Sequence, residues 1–312
     1  MRILLTGGSG FIGQYLCRHL DSLGHEVTTF DLRHPSKELE KVHYYTGSVT
    51  EIKYWRDIHG LAYDCLIHLA SVVGVKAVSN QRITTTNTIL EGTRNALWYC
   101  QVSRTPIIYV STSEVYGNAP SPLYEDKSES VLGLSTIPRW GYAAAKLAAE
   151  HMTLGYQQEE GLKAAIVRPF NVTGAGQSHM VLPTFVSQAS INEPITINGD
   201  GSQVRCFIAV QDAVEAITKL TCVLALEGLG NGEIFNLGNP GNEASISELA
   251  HQVKRQMSSD SQIVINATEG EIFRRIPDIA KITNLLDWYP KRSLTSIIDS
   301  MATMSKKSLA SS

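Results

Sequence analysis

Apolar residues recur over the first 170 positions in two alternating rhythms. Short strand-like runs fall at 2–6 (RILLT, nearly all apolar), 26–31 (EVTTFD), 42–46 (VHYYT), 64–69 (DCLIHL), 106–110 (PIIYV) and 163–167 (KAAIV). Runs of this length and content suit strands buried on both faces of a parallel sheet. Between them lie stretches of helical spacing: 11 to about 23, stopped by Gly24; a short one containing Trp55; about 83–102; and one through Tyr142 to about 160. Strands and helices alternating in this way give right-handed βαβ units, so the pattern predicts an α/β fold with a doubly wound parallel sheet over 1–170. Beyond Arg168-Pro169 the alternation fades into segments at 194–197 and 233–237 and a helical pattern near 246–257. These predict a smaller mixed α/β C-terminal part over 171–305, mainly substrate-binding, with the chain rejoining the first unit at about 203–228. The tail from Lys306, KKSLASS, reads as disordered. No repeat or low-complexity linker separates the two parts, so they are expected to pack directly around a cleft.

Composition narrows the class without changing this picture. The chain has 312 residues, 43% hydrophobic and 18% charged, which suits a soluble protein with a substantial core. A net charge of −3 shows no basic excess and argues against nucleic acid as an electrostatic partner. The five cysteines (Cys17, Cys65, Cys100, Cys206, Cys222) are scattered and lack CxxC spacing. They read as reduced residues, with neither a disulfide nor a metal site expected. The nine histidines form no HxxH or HExxH pattern, again pointing away from a metal. No apolar run approaches the roughly 18–20 residues of a membrane span. Met1 leads straight into a strand-like run without a signal peptide, so a cytoplasmic location is expected.

The first run breaks into Gly7-Gly-Ser-Gly10-Phe11-Ile12-Gly13, and the second ends in Asp31. Glycines between a strand and a helix, with an acid ending the next strand, are the context of a Rossmann-type dinucleotide site. The glycines let backbone N–H groups approach a pyrophosphate at the positive end of the helix. Asp31 is placed to accept from both ribose hydroxyls, which favours NAD over NADP, with Arg33 nearby as the feature that could reverse the preference. Ligands in such sheets bind beyond the carboxyl ends of the strands. Ser48 and Val49, Leu69 with Ala70 and Ser71, Ser111 to Glu114, and Arg168 to Asn171 all fall there.

Tyr142 and Lys146 are four apart at what reads as the start of a helix, so they share a face. A free phenol, with a pKa of about 10, is a poor base near neutrality. A neighbouring ammonium stabilises the phenolate and draws that pKa down, which would make Tyr142 a base and Lys146 its helper.

Together these stretches resemble the extended short-chain dehydrogenase/reductase family, the NAD-dependent epimerases and dehydratases of nucleotide sugars. The likeness spans about 1–300 and rests on Thr6-Gly-Gly-Ser-Gly-Phe-Ile-Gly13, His68-Leu-Ala70, Ser111-Thr-Ser-Glu-Val-Tyr-Gly117, Tyr142-Ala-Ala-Ala-Lys146, Arg168-Pro-Phe-Asn171, Gly199-Asp-Gly-Ser-Gln-Val-Arg205 and Arg275-Ile-Pro-Asp278. The resemblance implies that Tyr142 takes the proton of the sugar 4-hydroxyl while C4 gives hydride to NAD. It implies that Lys146 holds the nicotinamide ribose, that Thr112 binds the sugar hydroxyl, and that Asn171 and Arg205 bind the diphosphate. Ser113 stands where 4,6-dehydratases carry an Asp, which counts against dehydration. Glu114 and Arg275, with Pro138-Arg-Trp-Gly-Tyr142 and 236–246, look most like UDP-glucuronate decarboxylases. In that chemistry Arg275 neighbours the sugar carboxylate, and Glu114 is proton donor or orienter. Val72-Val-Gly-Val-Lys76 looks more like the epimerases, so a UDP-hexose or UDP-hexuronate 4-epimerase remains the alternative, beside a catalytically silent NAD-binding regulator. Ser48 departs from the Asp often found there, leaving adenine to Val49 and backbone. The apolar residues of 83–102 and 142–160, with Trp98 and Tyr99, exceed what one sheet face covers. They read as ordinary core or as the helix-to-helix homodimer the family commonly forms.

Overall fold

A computed structural model describes residues 1–58, 60–266 and 273–310. The first half alternates as the apolar pattern requires: β1 (Arg2–Thr6), α1 (Phe11–Ser22), β2 (Glu26–Asp31), β3 (Val42–Thr46), α2 (Ile52–Asp57), β4 (Cys65–His68), α3 (Val75–Asn80), α4 (Arg82–Ser103), β5 (Ile107–Val110), α5 (Pro138–Glu160) and β6 (Ala164–Pro169). Of these, α3 is absent from the sequence reading, and α5 begins a turn before Tyr142, at Pro138. Proline suits that first position because its missing N–H would have no partner there.

The remaining elements are β7 (Val172–Thr173), α6 (Val181–Ser190), β8 (Ile195–Asn198), β9 (Val204–Cys206), β10 (Ile208–Ala209), α7 (Val210–Glu227), β11 (Ile234–Leu237), β12 (Glu243–Ser245), α8 (Ile246–Met257), β13 (Ile263–Asn266), β14 (Arg274–Arg275), α9 (Ala280–Leu286) and α10 (Leu294–Ala310). The tail expected to be disordered from Lys306 is helical as far as Ala310, and Ser311 and Ser312 lie outside the described residues.

The central sheet has seven strands in the order β11-β6-β5-β4-β1-β2-β3. All its pairings are parallel. The order reverses between β1 and β4, the point at which such sheets open a crevice for ligands. One apolar layer joins the sheet to α1 and α7 through Leu16, Leu20, Ala213, Ile217 and Leu220. Another joins it to α2 and α4 through Trp55, Ala96, Leu97 and Tyr99. The chain therefore returns to the sheet through α7 and again through β11, which pairs with β6.

The second part has its own core, where α6, α8 and α10 meet around Phe185, Leu249, Val253 and Ile298. A capping box starts α8: Ser245 accepts from Glu248 N, and the Glu248 carboxylate accepts from Ser245 N. Three short strands, β12-β9-β14, connect this core to the crevice and set Arg205 beside Arg275 in parallel register.

Candidate functional site

The loop after β1 is packed at distances only glycine allows. Gly7 has φ +75°, and a Cβ there would lie 2.9 Å from the Ala70 nitrogen. A Cβ on Gly13 would lie 2.2 Å from the Gly7 carbonyl oxygen, so α1 sits directly on the loop. Thr6 ties the same place together, its Oγ1 accepting from Ala70 N at 3.2 Å and lying 2.7 Å from His68 Nδ1. The first turn of α1, with Gly10 before it and Phe11 and Ile12 inside it, carries no acid and no side-chain cap. Its N–H groups point toward the crevice as an anion site.

Asp31, at the end of β2, accepts from the Ser9 and Arg33 amides, each at 3.0 Å, and so closes the loop from the side. Val49 is buried, and its carbonyl accepts from Trp55 Nε1 (2.8 Å) and Asn95 Nδ2 (3.0 Å). The neighbouring Ser48 hydroxyl lies 2.7 Å from that of Thr50. Leu69, Ala70 and Ser71 leave β4 half-buried beside the glycine loop. A cradle that added side-chain atoms would fill, a positive helix end and a carboxylate at the next strand end together fit a dinucleotide.

Across the crevice α5 carries Tyr142 and Lys146 one turn apart. Lys146 is buried and donates from Nζ to the Val110 carbonyl at 2.9 Å, with Nζ 5.0 Å from the centre of the Tyr109 ring. Burial draws its ammonium down to about 7, against the opposing charge of Glu150. His68 is buried nearby, and burial together with the Lys146 charge holds it at about 3, so it is neutral. Tyr142 is hydrogen-bonded to Thr112, the residue that caps the turn at Ser113–Tyr116 by accepting from Glu114 N at 3.2 Å.

The phenol itself departs from the expectation of a lowered pKa. It is raised, first by burial and then by the Glu114 charge, and the Thr112 hydrogen bond offsets only part of this. Burial and the Glu114 charge outweigh what lowers it, so the protein alone does not make a phenolate near neutrality.

Glu114 is the most heavily engaged acid of the crevice. Arg139 grips it with a two-pronged guanidinium, Nε to Oε2 at 2.7 Å and Nη2 to Oε1 at 3.1 Å. Arg275 Nη1 contacts Oε1 as well, while Arg275 Nη2 donates to the Gly117 carbonyl at 3.1 Å. Burial alone would raise this carboxyl, but the charges and hydrogen bonds of Arg275 and Arg139 outweigh it and hold Glu114 at about 2. It is a fixed anion at neutral pH, which removes it as a proton donor and leaves it the part of an orienter. Ser113 beside it is buried.

The sequence brought forward Asn171 and Arg205, and the structure sets both at the seam between the two parts. The Asn171 amide donates to the Cys206 carbonyl at 2.8 Å, so this side chain braces the end of β9. Arg205 is largely buried and donates from Nη1 to the Val204 carbonyl at 2.9 Å. Two charged groups escaped the sequence reading. Arg139 stands three residues before Tyr142 in a stretch quoted only for its likeness, and Glu150 stands four after Lys146 on the same helix face. Helical spacing from Tyr142 was the signal for both.

A doubly wound sheet with a glycine cradle at its switch point, facing a Tyr–Lys helix, defines a dinucleotide-dependent dehydrogenase-type enzyme. Residues 3–238 match the NAD dependent epimerase/dehydratase family, and the chain belongs to it. It is an NAD-dependent enzyme of nucleotide-sugar chemistry, and its cofactor is NAD. Over 311 residues it is 36% identical to the UDP-N-acetyl-alpha-D-glucosaminuronate decarboxylase of Bacillus cytotoxicus, covering 94% of both chains. It is 32% identical to UDP-glucuronic acid decarboxylase 2 of Arabidopsis thaliana, covering 94% of this chain and 66% of that one. Among solved structures, the UDP-glucose 4-epimerase of Thermotoga maritima superposes with a TM-score of 0.87 at 25% identity, covering 99% and 100% of the two chains. No helix among the described residues is long and apolar enough to cross a membrane.

Proposed function

We propose that this chain is a UDP-hexuronate decarboxylase acting on UDP-glucuronate or its 2-acetamido counterpart. The observation that carries the reading is the cluster of Glu114 between Arg139 and Arg275, beside Thr112 and Tyr142. A ketose turning over for epimerisation needs no such charges at the sugar. A substrate carboxylate needs a guanidinium, and two arginines aligned by one fixed acid offer one. The names of the two curated decarboxylases support the same reading.

In this reading Gly7, Gly10, Phe11, Ile12, Gly13, Asp31, Ser48, Val49, Leu69, Ala70 and Ser71 hold the cofactor. Tyr142 takes the proton of the C4 hydroxyl, with Thr112 orienting that hydroxyl and Lys146 on the nicotinamide ribose. NAD, when bound, would supply the acceptor for the C4 hydride and a positive charge beside the phenol. The resulting 4-keto acid loses its C6 carboxylate as carbon dioxide, the electron pair passing into the C4 carbonyl; a proton at C5 then gives the 4-keto-pentose, and return of the hydride to C4 with a proton on its oxygen would give the UDP-pentose. Arg275 holds the carboxylate in line for this loss, and Glu114 with Arg139 fixes Arg275. Arg205 faces the diphosphate, and Asn171 braces the strand that carries it. A cytoplasmic homodimer joined through α4 and α5 completes the proposal.

Incubation with NAD and each UDP-hexuronate, followed by mass spectrometry, tests it. Loss of carbon dioxide and a UDP-pentose product are expected. Mass-neutral conversion would instead make the protein a 4-epimerase, and NAD binding without turnover of any nucleotide sugar would make it a regulator.

A further inference from the structure

Glu150 is a carboxylate on the same face of α5 as Tyr142 and Lys146, one turn further on, and it is 2% exposed. Both of its oxygens are engaged. Oε1 accepts from Ser111 Oγ at 2.5 Å and from Arg168 Nε at 3.0 Å, and Oε2 accepts from Arg168 Nη2 at 2.6 Å. Ser111 and Arg168 are buried too. A buried ion pair contributes little to stability that apolar side chains of equal volume would not, so its place beside the site calls for another reason.

We propose that Glu150 is a positioning residue for the NAD-dependent step: it fixes the strand end that carries Thr112 and from which Lys146 hangs, and it sets a negative charge one turn from the lysine. The inference rests on the hydride chemistry at Tyr142, which decarboxylase and epimerase share, and not on the identity of the sugar.

One line of geometry and one of electrostatics support it. Ser111 is the residue before Thr112, and its backbone N–H donates to the Val167 carbonyl at 2.8 Å. The residue before it, Val110, supplies the carbonyl that takes the Lys146 ammonium. One carboxylate thus braces the short stretch from which Lys146 hangs and on which Thr112 stands. The second line is electrostatic. A lysine buried this deeply tends to lose its proton, and the Glu150 charge is what opposes that loss.

Among the described residues, the other groups facing this place do not supply a second counter-charge. Tyr109 from β5 presents its ring, and its phenol is pushed well up by burial. His68 from β4 is neutral, and Arg168 from β6 is cationic and held by Glu150. Glu114, from the turn before α5, is held by Arg139 and Arg275. On α4, Glu91 and Arg94 pair with each other at the surface.

The test is the ionisation of Lys146 and Tyr142 in Glu150→Gln. Lys146 is followed by NMR of isotope-labelled lysine, its signal assigned by loss in Lys146→Met. Tyr142 is followed by tyrosinate absorbance with NAD bound, against Tyr142→Phe. The expected result is a fall of about one unit in the Lys146 pKa and a rise in that of Tyr142. The rising limb of the kcat–pH profile should move to higher pH with it. Glu150→Asp, which keeps the charge, should restore both ionisations more fully than it restores thermal stability. Because Glu150→Gln leaves the Arg168 charge buried and unopposed, Arg168→Met provides a second route in which the Glu150 charge is no longer offset and the Lys146 pKa should rise instead. A folded variant of either kind whose Lys146 and Tyr142 titrate as in the wild type would overturn the proposal and leave Glu150 a structural residue. Altered titration with no turnover of any UDP-hexuronate would uphold it while removing the decarboxylase reading.

Discussion

Two charged clusters face the same crevice and are built in opposite ways. Tyr142, Lys146 and Glu150 stand on one face of a single helix, at the spacing of successive turns. Glu114, Arg139 and Arg275 come from a short turn, the first turn of α5 and a two-residue strand, and Arg275 is 161 residues from Glu114. The first cluster is regular and local, and in the proposed chemistry it serves the hydride step. The second is completed only by Arg275 from the C-terminal part, and in the proposed chemistry it selects what happens to the oxidised sugar. On that reading the hydride chemistry is carried by one helix, and the product-determining groups are carried by short irregular pieces.

Experiments can separate the clusters. The largest effect is expected from Tyr142→Phe, which removes the proton acceptor while leaving the cradle intact. Turnover should fall on the order of a thousandfold, with NAD affinity changed only slightly, as read by steady-state kinetics and calorimetry. If turnover survived, the helix cluster would not be the seat of the hydride step. Gly13→Ala comes next. Its Cβ would lie 2.2 Å from the Gly7 carbonyl, two backbone segments that cannot both yield. A loss of about 2–3 kcal/mol in stability is expected, together with loss of NAD binding, measured by denaturant unfolding with and without NAD.

Smaller effects sharpen the contrast with the docked part. Ser245→Ala breaks the capping box of α8 and should cost about 1 kcal/mol in stability with kcat unchanged. A change in kcat would show that the second core steers the crevice more directly than its contacts suggest.

Glu114 offers a pH measurement. Its carboxyl lies at about 2 in the folded chain, below the ordinary 4.5. Its ionisation therefore stabilises the fold fully above the unfolded value, and the contribution is lost as pH falls through the folded one. The stability gap between wild type and Glu114→Gln should narrow by about 1 kcal/mol from about pH 6 to about pH 4, followed by urea midpoints. A gap independent of pH would mean that Glu114 is not gripped by the two arginines in solution.

The difference between the clusters also explains what the sequence revealed. Strand and helix periods located the six strands of the first half, the glycine cradle and the Tyr–Lys pair, because each is a local pattern. The proximity of Glu114 and Arg275 was legible only through family likeness, since nothing in the spacing of residues 114 and 275 brings them together. Arg139 went unremarked for the same reason: its partner lies 25 residues away, across a turn and a loop. The two-residue β14 has no period at all, and its pairing with β9 follows from docking. The end of α10 from Lys306 reads as disordered because KKSLASS alone is polar, whereas the helix that carries it is anchored earlier, through Leu294, Ile297, Ile298 and Met301.

The division of labour between the clusters is tested most directly by one single-turnover experiment on Arg275→Met. The enzyme with NAD is mixed with UDP-glucuronate or its 2-acetamido counterpart, whichever the wild type consumes. NADH absorbance and carbon dioxide release are followed together. If the helix cluster performs oxidation and the arginine cluster directs decarboxylation, NADH should appear at close to the wild-type rate while carbon dioxide release slows by about a hundredfold. A parallel fall in both signals would contradict the separation and make Arg275 part of the oxidation step itself.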